Sequence, residues 1–252
     1  MSTSTNLAAS VQLEDLTVAL QPVLDLRTGN VHGFEALLRG PEGSDVNPPA
    51  VFRRARREHW LGELEYRARS LAFEAAERFL QGQEVLFLNG DIRFPLPPHR
   101  YPHLVMEVSE SRRVSRHRVE KLRQEGLKLY LDDYGVSHGN LTRILDVRPA
   151  GLKIDRSIIR GIAEDSRRYA MARALAALAH DLGMELVAEG IETSEDLVAV
   201  RRAGFTLGQG YYLGRPALHP DRQEIDQVSQ LLADMIIDQV TSARLRLVAS
   251  TI

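Results

Sequence analysis

The 252-residue chain contains no cysteine. Disulfides, thiolate metal sites and Cys nucleophiles are therefore excluded, and cysteine usage says nothing about redox compartment. No apolar run is long enough to span a bilayer. The opening residues, Met1 to Leu16, lack the basic start and apolar stretch of a secretory signal. These absences lead to the expectation of a cytoplasmic protein without a membrane segment. An excess of one charge sign is also missing: 32 Lys and Arg stand against 34 Asp and Glu, a formal charge of −2. No global basic field exists to hold DNA or RNA by its phosphates, so neither is expected as a partner.

What is present is enough for a sizeable core. Apolar residues make up 44% of the chain, an ordinary share for a globular protein. The length suggests one large domain. Residues 1–15 are expected to form a flexible N-terminal segment, small and polar at Met1 to Ser10. A strand pattern runs from Leu16 to Leu26 and breaks at Thr28-Gly29-Asn30; Val31-His32-Gly33-Phe34 then leads into Glu35. Gly40 to Pro49 is rich in Gly, Pro, Asp and Ser and reads as a loop. A helical pattern opened by Pro49 carries Arg53, Arg54, Arg56 and Arg57, read as a solvated face. A second, from about Glu63 to Gln81, places Leu64, Leu71, Ala75 and Phe79 at helical spacing.

Beyond this point short apolar runs alternate with helical segments. The runs are Val85 to Leu88, Leu104 to Met106, Leu127 to Leu131, Leu152 to Ile154 and Glu185 to Ala188. Helical patterns fall at Ser115 to Gln124, Leu141 to Leu145, Tyr169 to Leu182 and Ser194 to Ala203. This rhythm indicates an α/β fold with a parallel sheet and enough units to close a barrel. An open doubly wound sheet is the competing architecture, but no Gly-rich phosphate loop follows the first strand. From Pro220 to about Ala249 one more helix carries Ile225, Val228, Leu232, Met235, Ile236 and Val240 as an apolar stripe. Residues 220–252 are expected to pack on a barrel spanning 16–219 or to face a partner.

The acidic residues are informative by position. Glu107 follows Leu104 to Met106, Asp132 and Asp133 follow Leu129 to Leu131, and Glu189 follows Leu186 to Ala188. Asn89 follows Phe87-Leu88, and Glu35 follows Gly33-Phe34. In a barrel these strand ends converge on one face, where such folds carry chemistry. One strand-end carboxylate is often a helix cap or turn former; five strand ends behaving alike is a different matter. Converging carboxylates repel unless a positive charge lies between them. A set of oxygens, without Cys or paired His, selects hard ions such as Mg²⁺ or Mn²⁺. Lys153 in Gly151-Leu152-Lys153-Ile154-Asp155 is flanked by apolar residues, so its ammonium is expected inside the same mouth, where it could offset developing negative charge. A snorkelling surface lysine is the alternative.

These residues resemble a family, the EAL phosphodiesterases of cyclic di-GMP signalling. Glu35-Ala36-Leu37-Leu38-Arg39 matches the signature, and Gln21-Pro22-Val23 the strand before it. Leu88-Asn89, Met106 to Ser111, Leu131 to Gly135, Leu152 to Ser157, Val187 to Thr193 and Gly208 to Tyr212, then Gly214-Arg215-Pro216, follow in family order. The resemblance implies a (β/α)8 TIM-type barrel with one antiparallel strand near the N-terminus. It implies hydrolysis of cyclic di-GMP to linear pGpG with two ions, Mg²⁺ or Mn²⁺. Glu35, Asn89, Glu107 and Asp132 would bind one ion; Asp132, Asp133 and Glu189 would bind the other. Lys153 and Gln209 would position the attacking water, and Glu192 would support them. Gln21, Leu38, Arg39 and Asp155 would contact the dinucleotide, and Glu110 would anchor the loop after the paired aspartates. A homodimer is implied as well.

Two segments depart from the family pattern: Gly90-Asp91-Ile92-Arg93, and the loop Tyr134 to Leu141, whose Val136, Gly139 and Asn140 replace hydroxyl-bearing residues. All the metal positions are retained, so an enzyme is expected. Two other classes remain open, a catalytically silent cyclic di-GMP receptor and an interaction module that has lost nucleotide binding. His180-Asp181 lacks the further His and Asp partners that a histidine-aspartate phosphodiesterase needs, and reads as a helix end.

Overall fold

The computed structural model describes residues 11–249, apart from 42, 45, 99–100, 110–113 and 136–140. Glu110, the loop 136–140, residues 1–10 and the Val240 side chain lie outside the described residues. The chain forms a closed eight-stranded barrel in strand order β1 to β8. β1 (Thr17–Asp25) runs antiparallel to both its neighbours, β2 (Val31–Arg39) and β8 (Leu207–Gly208). The remaining strands, β3 (Val85–Asn89), β4 (Leu104–Ser109), β5 (Lys128–Tyr134), β6 (Gly151–Ile154) and β7 (Glu185–Ala188), pair in parallel. This is the (β/α)8-type barrel expected, with its reversed first strand.

The helices are α1 (Pro48–Arg57), α2 (Leu61–Phe79), α3 (Arg116–Gln124), α4 (Thr142–Val147), α5 (Arg156–Ile159), α6 (Ser166–Asp181), α7 (Ser194–Ala203) and α8 (Arg222–Ala249). Local chemistry sets several starts. Asp165 caps α6 by accepting from the Arg167 and Arg168 N–H groups at 2.8 and 3.2 Å, and Thr193 caps α7 by accepting from Asp196 N–H at 3.1 Å. Such caps satisfy donors that a first helical turn leaves orphaned.

Two expectations shift. Residues 11–15 are not all loose: Leu13–Asp15 forms a 3-10 turn and Val11 is buried among Leu16, Val46, Val51 and Leu64. The reason is apolar: this small cluster lies under α1 and α2. On α2 the buried stripe is Leu61, Leu64, Glu65, Arg69, Ala72, Phe73 and Ala76, while Leu71 and Ala75 are only half-buried. In α8, Ile225 and Leu232 are buried, and Val228, Met235 and Ile236 pack against the same core. Ser229 donates to the Gly29 carbonyl at 2.8 Å, and a Cβ at Gly29 would lie 2.6 Å from the Ala233 nitrogen. The described part of the stripe therefore packs on the barrel.

The barrel interior is layered by the strand period of two. Val23, Phe87, Val105, Tyr130, Val187 and Leu207 form one closed apolar layer. Two residues further toward the C-terminal ends of the parallel strands stand Asn89, Glu107, Asp132, Glu189 and Gln209. β1 runs the other way, so its contribution, Gln21, comes two residues before Val23. Gly151 leaves room for the Tyr130 ring, since a Cβ there would meet it at 2.4 Å, and Lys153 rises two residues later. A floor of six apolar side chains thus carries a polar layer.

Candidate active site

The polar layer closes around Lys153, whose side chain is 1% exposed. Its ammonium lies 2.7 Å from Glu189, 2.9 Å from Glu107, 3.0 Å from Glu35 and 3.5 Å from Asp132. Four strands therefore deliver carboxylates to one cation, and the lysine is buried rather than snorkelling. Glu35 is also held by Asn89 Nδ2 at 2.6 Å and Gln209 Nε2 at 2.7 Å. Gln209 donates to Gln21 Oε1 at 2.8 Å, and Gln21 donates to the Gly214 carbonyl at 2.9 Å. Glu107 and Asp132 lie within the last residues of their strands, since β4 continues to Ser109 and β5 to Tyr134, and Glu189 directly follows β7. Ladder pairing such as Asn89 with Glu107 and Ser109 with Asp132 extends those strands past their apolar runs. Glu35 is a correction: it stands in the middle of β2 rather than at its end, because that strand continues through its pairing with β1 to Arg39.

Asp133 reaches the site by a different route. Adjacent strand residues point to opposite faces, but Asp133 has φ +56° and the β5–β6 register shifts between Leu131 and Tyr134. A left-handed residue there turns its carboxylate back to the mouth, and oxygens of Asp132, Asp133 and Glu189 lie within 4.8 Å of one another.

The charges respond to this crowding. Desolvation and the Glu35 charge push Glu107 well above the ordinary carboxylate range. Desolvation likewise raises Asp132 despite Lys153, and lifts Glu189 to about 8. Asp133 rises to about 6 through desolvation and its neighbours Asp132 and Asp155. Glu35 goes the other way: burial would raise it, but Lys153 and the Gln209 hydrogen bond outweigh that and hold it low. Burial opposes the charge on Lys153, yet the surrounding carboxylates keep its pKa above the usual lysine value.

The mouth is fit to take divalent cations. Glu107 is 1% exposed, and its Oε2 has no hydrogen-bond donor among the described residues. A buried carboxylate oxygen without a donor is costly, and a divalent ion would be the partner it lacks. All donor atoms are oxygens from Asp, Glu and Asn, a hard set suited to Mg²⁺, Mn²⁺ or Ca²⁺.

The other expected residues divide. Asp155 and Glu192 line the same cavity, about 350 Å³, together with Leu37, Arg156 and Tyr211. Glu192 pairs with Arg160 at 3.3 Å. Asp155 spends one oxygen on capping α5, accepting from Ser157 N–H at 2.7 Å. Arg39 donates to the Leu38 carbonyl at 2.9 Å. Leu38 is a correction: it packs against the outer cluster with Val46 and Val51, and Leu37 faces the cavity instead. Alternation explains this, because Leu37 and not Leu38 shares the face of Glu35. Arg156 and Tyr211 line the cavity too; both stand inside the motif segments Leu152 to Ser157 and Gly208 to Tyr212, but the sequence assigned neither a role.

The fold and the site together define a class: a (β/α)8-type barrel whose C-terminal mouth is a buried carboxylate cluster built around one lysine. The chain belongs to the EAL domain family, whose profile matches residues 4–216. It is 27% identical over 239 residues to the probable cyclic di-GMP phosphodiesterase PdeD of Escherichia coli, covering 86% of this chain and 44% of that protein. Among solved structures, a calcium and cyclic di-GMP complex of Klebsiella pneumoniae BlrP1 superposes with TM-score 0.71 at 26% identity, covering 81% of this chain and 56% of that one. The PaMucR phosphodiesterase in complex with cyclic di-GMP gives TM-score 0.70 at 27% identity, covering 84% and 94%. The chain spans less than half the length of the first curated relatives it matches. Among the described residues no helix is long and apolar enough to cross a membrane.

Proposed function

We propose that this domain hydrolyses cyclic di-GMP to linear pGpG with two divalent metal ions. The carrying observation is the convergence of Glu35, Glu107, Asp132 and Glu189 on Lys153 at the mouth of an EAL barrel. Glu35, Asn89, Glu107 and Asp132 would hold one ion, and Asp132, Asp133 and Glu189 the other. Such ions, when bound, supply Lewis-acid charge beside a phosphoryl group and lower the pKa of a water.

The chain's own groups account for the remaining chemistry. Lys153, fixed by several carboxylates, places a positive charge where the phosphoryl oxygens gain negative charge, at no reorganisation cost during reaction. Gln209, whose Nε2 donates to both Gln21 and Glu35, keeps Glu35 oriented and leaves its Oε1 to accept from a water. The apolar floor excludes bulk water from below. Gln21, Leu37, Asp155 and the Tyr211 ring, which line the cavity, and Arg39 would meet the nucleotide at the rim. A cavity of about 350 Å³ suits part of a dinucleotide, leaving the remainder at the open rim. We also propose that the domain works as a homodimer, as the family resemblance implies. The test is cyclic di-GMP binding by calorimetry in Ca²⁺, followed by product separation in Mg²⁺ or Mn²⁺. Product formation supports the reading; tight binding without product in either ion reassigns the domain as a receptor, and no binding makes it an interaction module.

A further inference from the structure

A second buried ion pair lies beside the site, on the barrel's outer layer. Glu65 and Arg69 of α2 are 2% and 1% exposed, with Arg69 Nη2 2.9 Å from Glu65 Oε2. A buried pair of this kind is weak evidence for stability, because desolvation offsets most of the attraction. What sets this one apart is its further bonding to one loop. Arg69 Nη2 donates to the Asp91 carbonyl at 2.8 Å, and Nη1 donates to the Phe94 and Pro95 carbonyls, each at 2.8 Å. Glu65 accepts the Asp91 N–H at 3.1 and 3.2 Å. Asp91 in turn binds Arg93 through both its oxygens.

That loop starts one residue after Asn89, whose amide reaches Glu35 at 2.6 Å. Gly90 lies directly on the pair: a Cβ there would come within 2.9 Å of Arg69 Nη2 and 3.1 Å of Glu65 Oε2. The segment Gly90 to Arg93, which departs from the family pattern, is thus the one the pair grips. We infer that Glu65 and Arg69 are positioning residues for the metal site, acting through residues 90–95 to hold Asn89 against Glu35. The inference rests on the reading of Asn89 and Glu35 as metal ligands. Groups that orient ligands from outside a metal site change affinity by about 10–100-fold when removed.

The test is Mn²⁺ binding without nucleotide, by calorimetry and by electron paramagnetic resonance, on the full chain. Arg69→Lys keeps the charge beside Glu65 but cannot reach three carbonyls. It is expected to weaken Mn²⁺ binding about 10-fold or more. Asn89→Ala should do likewise, and the double variant should lose little beyond either single one, because the clamp acts through Asn89. If Arg69→Lys fails to fold, Gly90→Ala displaces the clamp without removing charge and should give the same coupling. Unchanged Mn²⁺ affinity with only a lowered melting temperature, or losses that add across the pair of sites, overturns the inference. Because no substrate is present, a failure to hydrolyse cyclic di-GMP would sink the proposed function and leave this result standing.

Discussion

Replacing Lys153 by Met takes a buried ammonium out of contact with Glu35, Glu107, Asp132 and Glu189 while nearly keeping its volume. Removing one partner of a buried ion pair costs about 3–5 kcal/mol. At about 2–4 °C per kcal/mol for a chain of this size, the melting temperature should fall by about 6–20 °C in EDTA at pH 8. The sign with pH follows from the raised carboxylates. Glu107, Asp132 and Glu189 have folded pKa values above their unfolded ones. Such groups hold protons in the fold that the unfolded chain releases, so the metal-free protein loses stability as pH rises from about 4.5 toward the Glu189 value of about 8. Without Lys153 those pKa values rise further, so the variant should lie near the wild type at pH 5 and well below it at pH 8. Mn²⁺ should recover part of the difference at pH 8 by binding the same oxygens. Differential scanning calorimetry at both pH values, with EDTA and with Mn²⁺, provides the measurement. A variant melting within about 2 °C of wild type in EDTA at pH 8, against the 6–20 °C expected, would refute the idea that the lysine neutralises this cluster.

Other outcomes follow from the same geometry. Glu35→Gln should abolish turnover and at least one Mn²⁺ site while the far-ultraviolet circular dichroism stays native; because Glu35 is 4% exposed, Gln is the better probe than a cavity-forming Ala. Wild-type rates in that variant would contradict the ligand assignment. Tyr211→Ala should raise KM for cyclic di-GMP with a smaller change in kcat, by about 1–3 kcal/mol if a base stacks on the ring; an unchanged KM would place the bases elsewhere. Light scattering at high protein concentration should give twice the chain mass of 28.3 kDa; a strict monomer with and without ligand would count against the dimer.

The sequence made the strand–helix rhythm and the strand-end carboxylates legible because both follow from short-range patterns. Apolar runs of four or five residues fix strands, and a polar residue directly after one is visible without coordinates. Glu107, Asp132 and Glu189 were found in that way, as was Lys153 from its apolar flanks. The missed features depend on three-dimensional context. Leu38 was assigned to the substrate side as part of a continuous motif, whereas strand alternation puts Leu37 there. Asp133 was expected at the mouth, but the left-handed φ by which it gets there had no sequence signal. Glu65 and Arg69 stand i, i+4 among Leu61, Leu64, Ala72 and Phe73; two charges on an apolar stripe were a readable signal of a buried pair. What they grip, the carbonyls of residues 91–95, lies more than twenty residues away and had no local signature. The Arg53 to Arg57 face met expectation at Arg53, Arg56 and Arg57, which are exposed, while Arg54 is drawn to Glu58 and the Val11 carbonyl.

The central claim is that the barrel mouth uses water and divalent ions to open a phosphodiester of cyclic di-GMP. Incubating the protein with cyclic di-GMP and Mn²⁺ in oxygen-18 water, then separating products by chromatography and weighing them by mass spectrometry, tests it most directly. The account predicts pGpG carrying one heavy oxygen on its terminal phosphate, formed by wild type and lost with EDTA or Glu35→Gln. Intact cyclic di-GMP after prolonged incubation in both Mg²⁺ and Mn²⁺, or pGpG with no heavy oxygen, would contradict it.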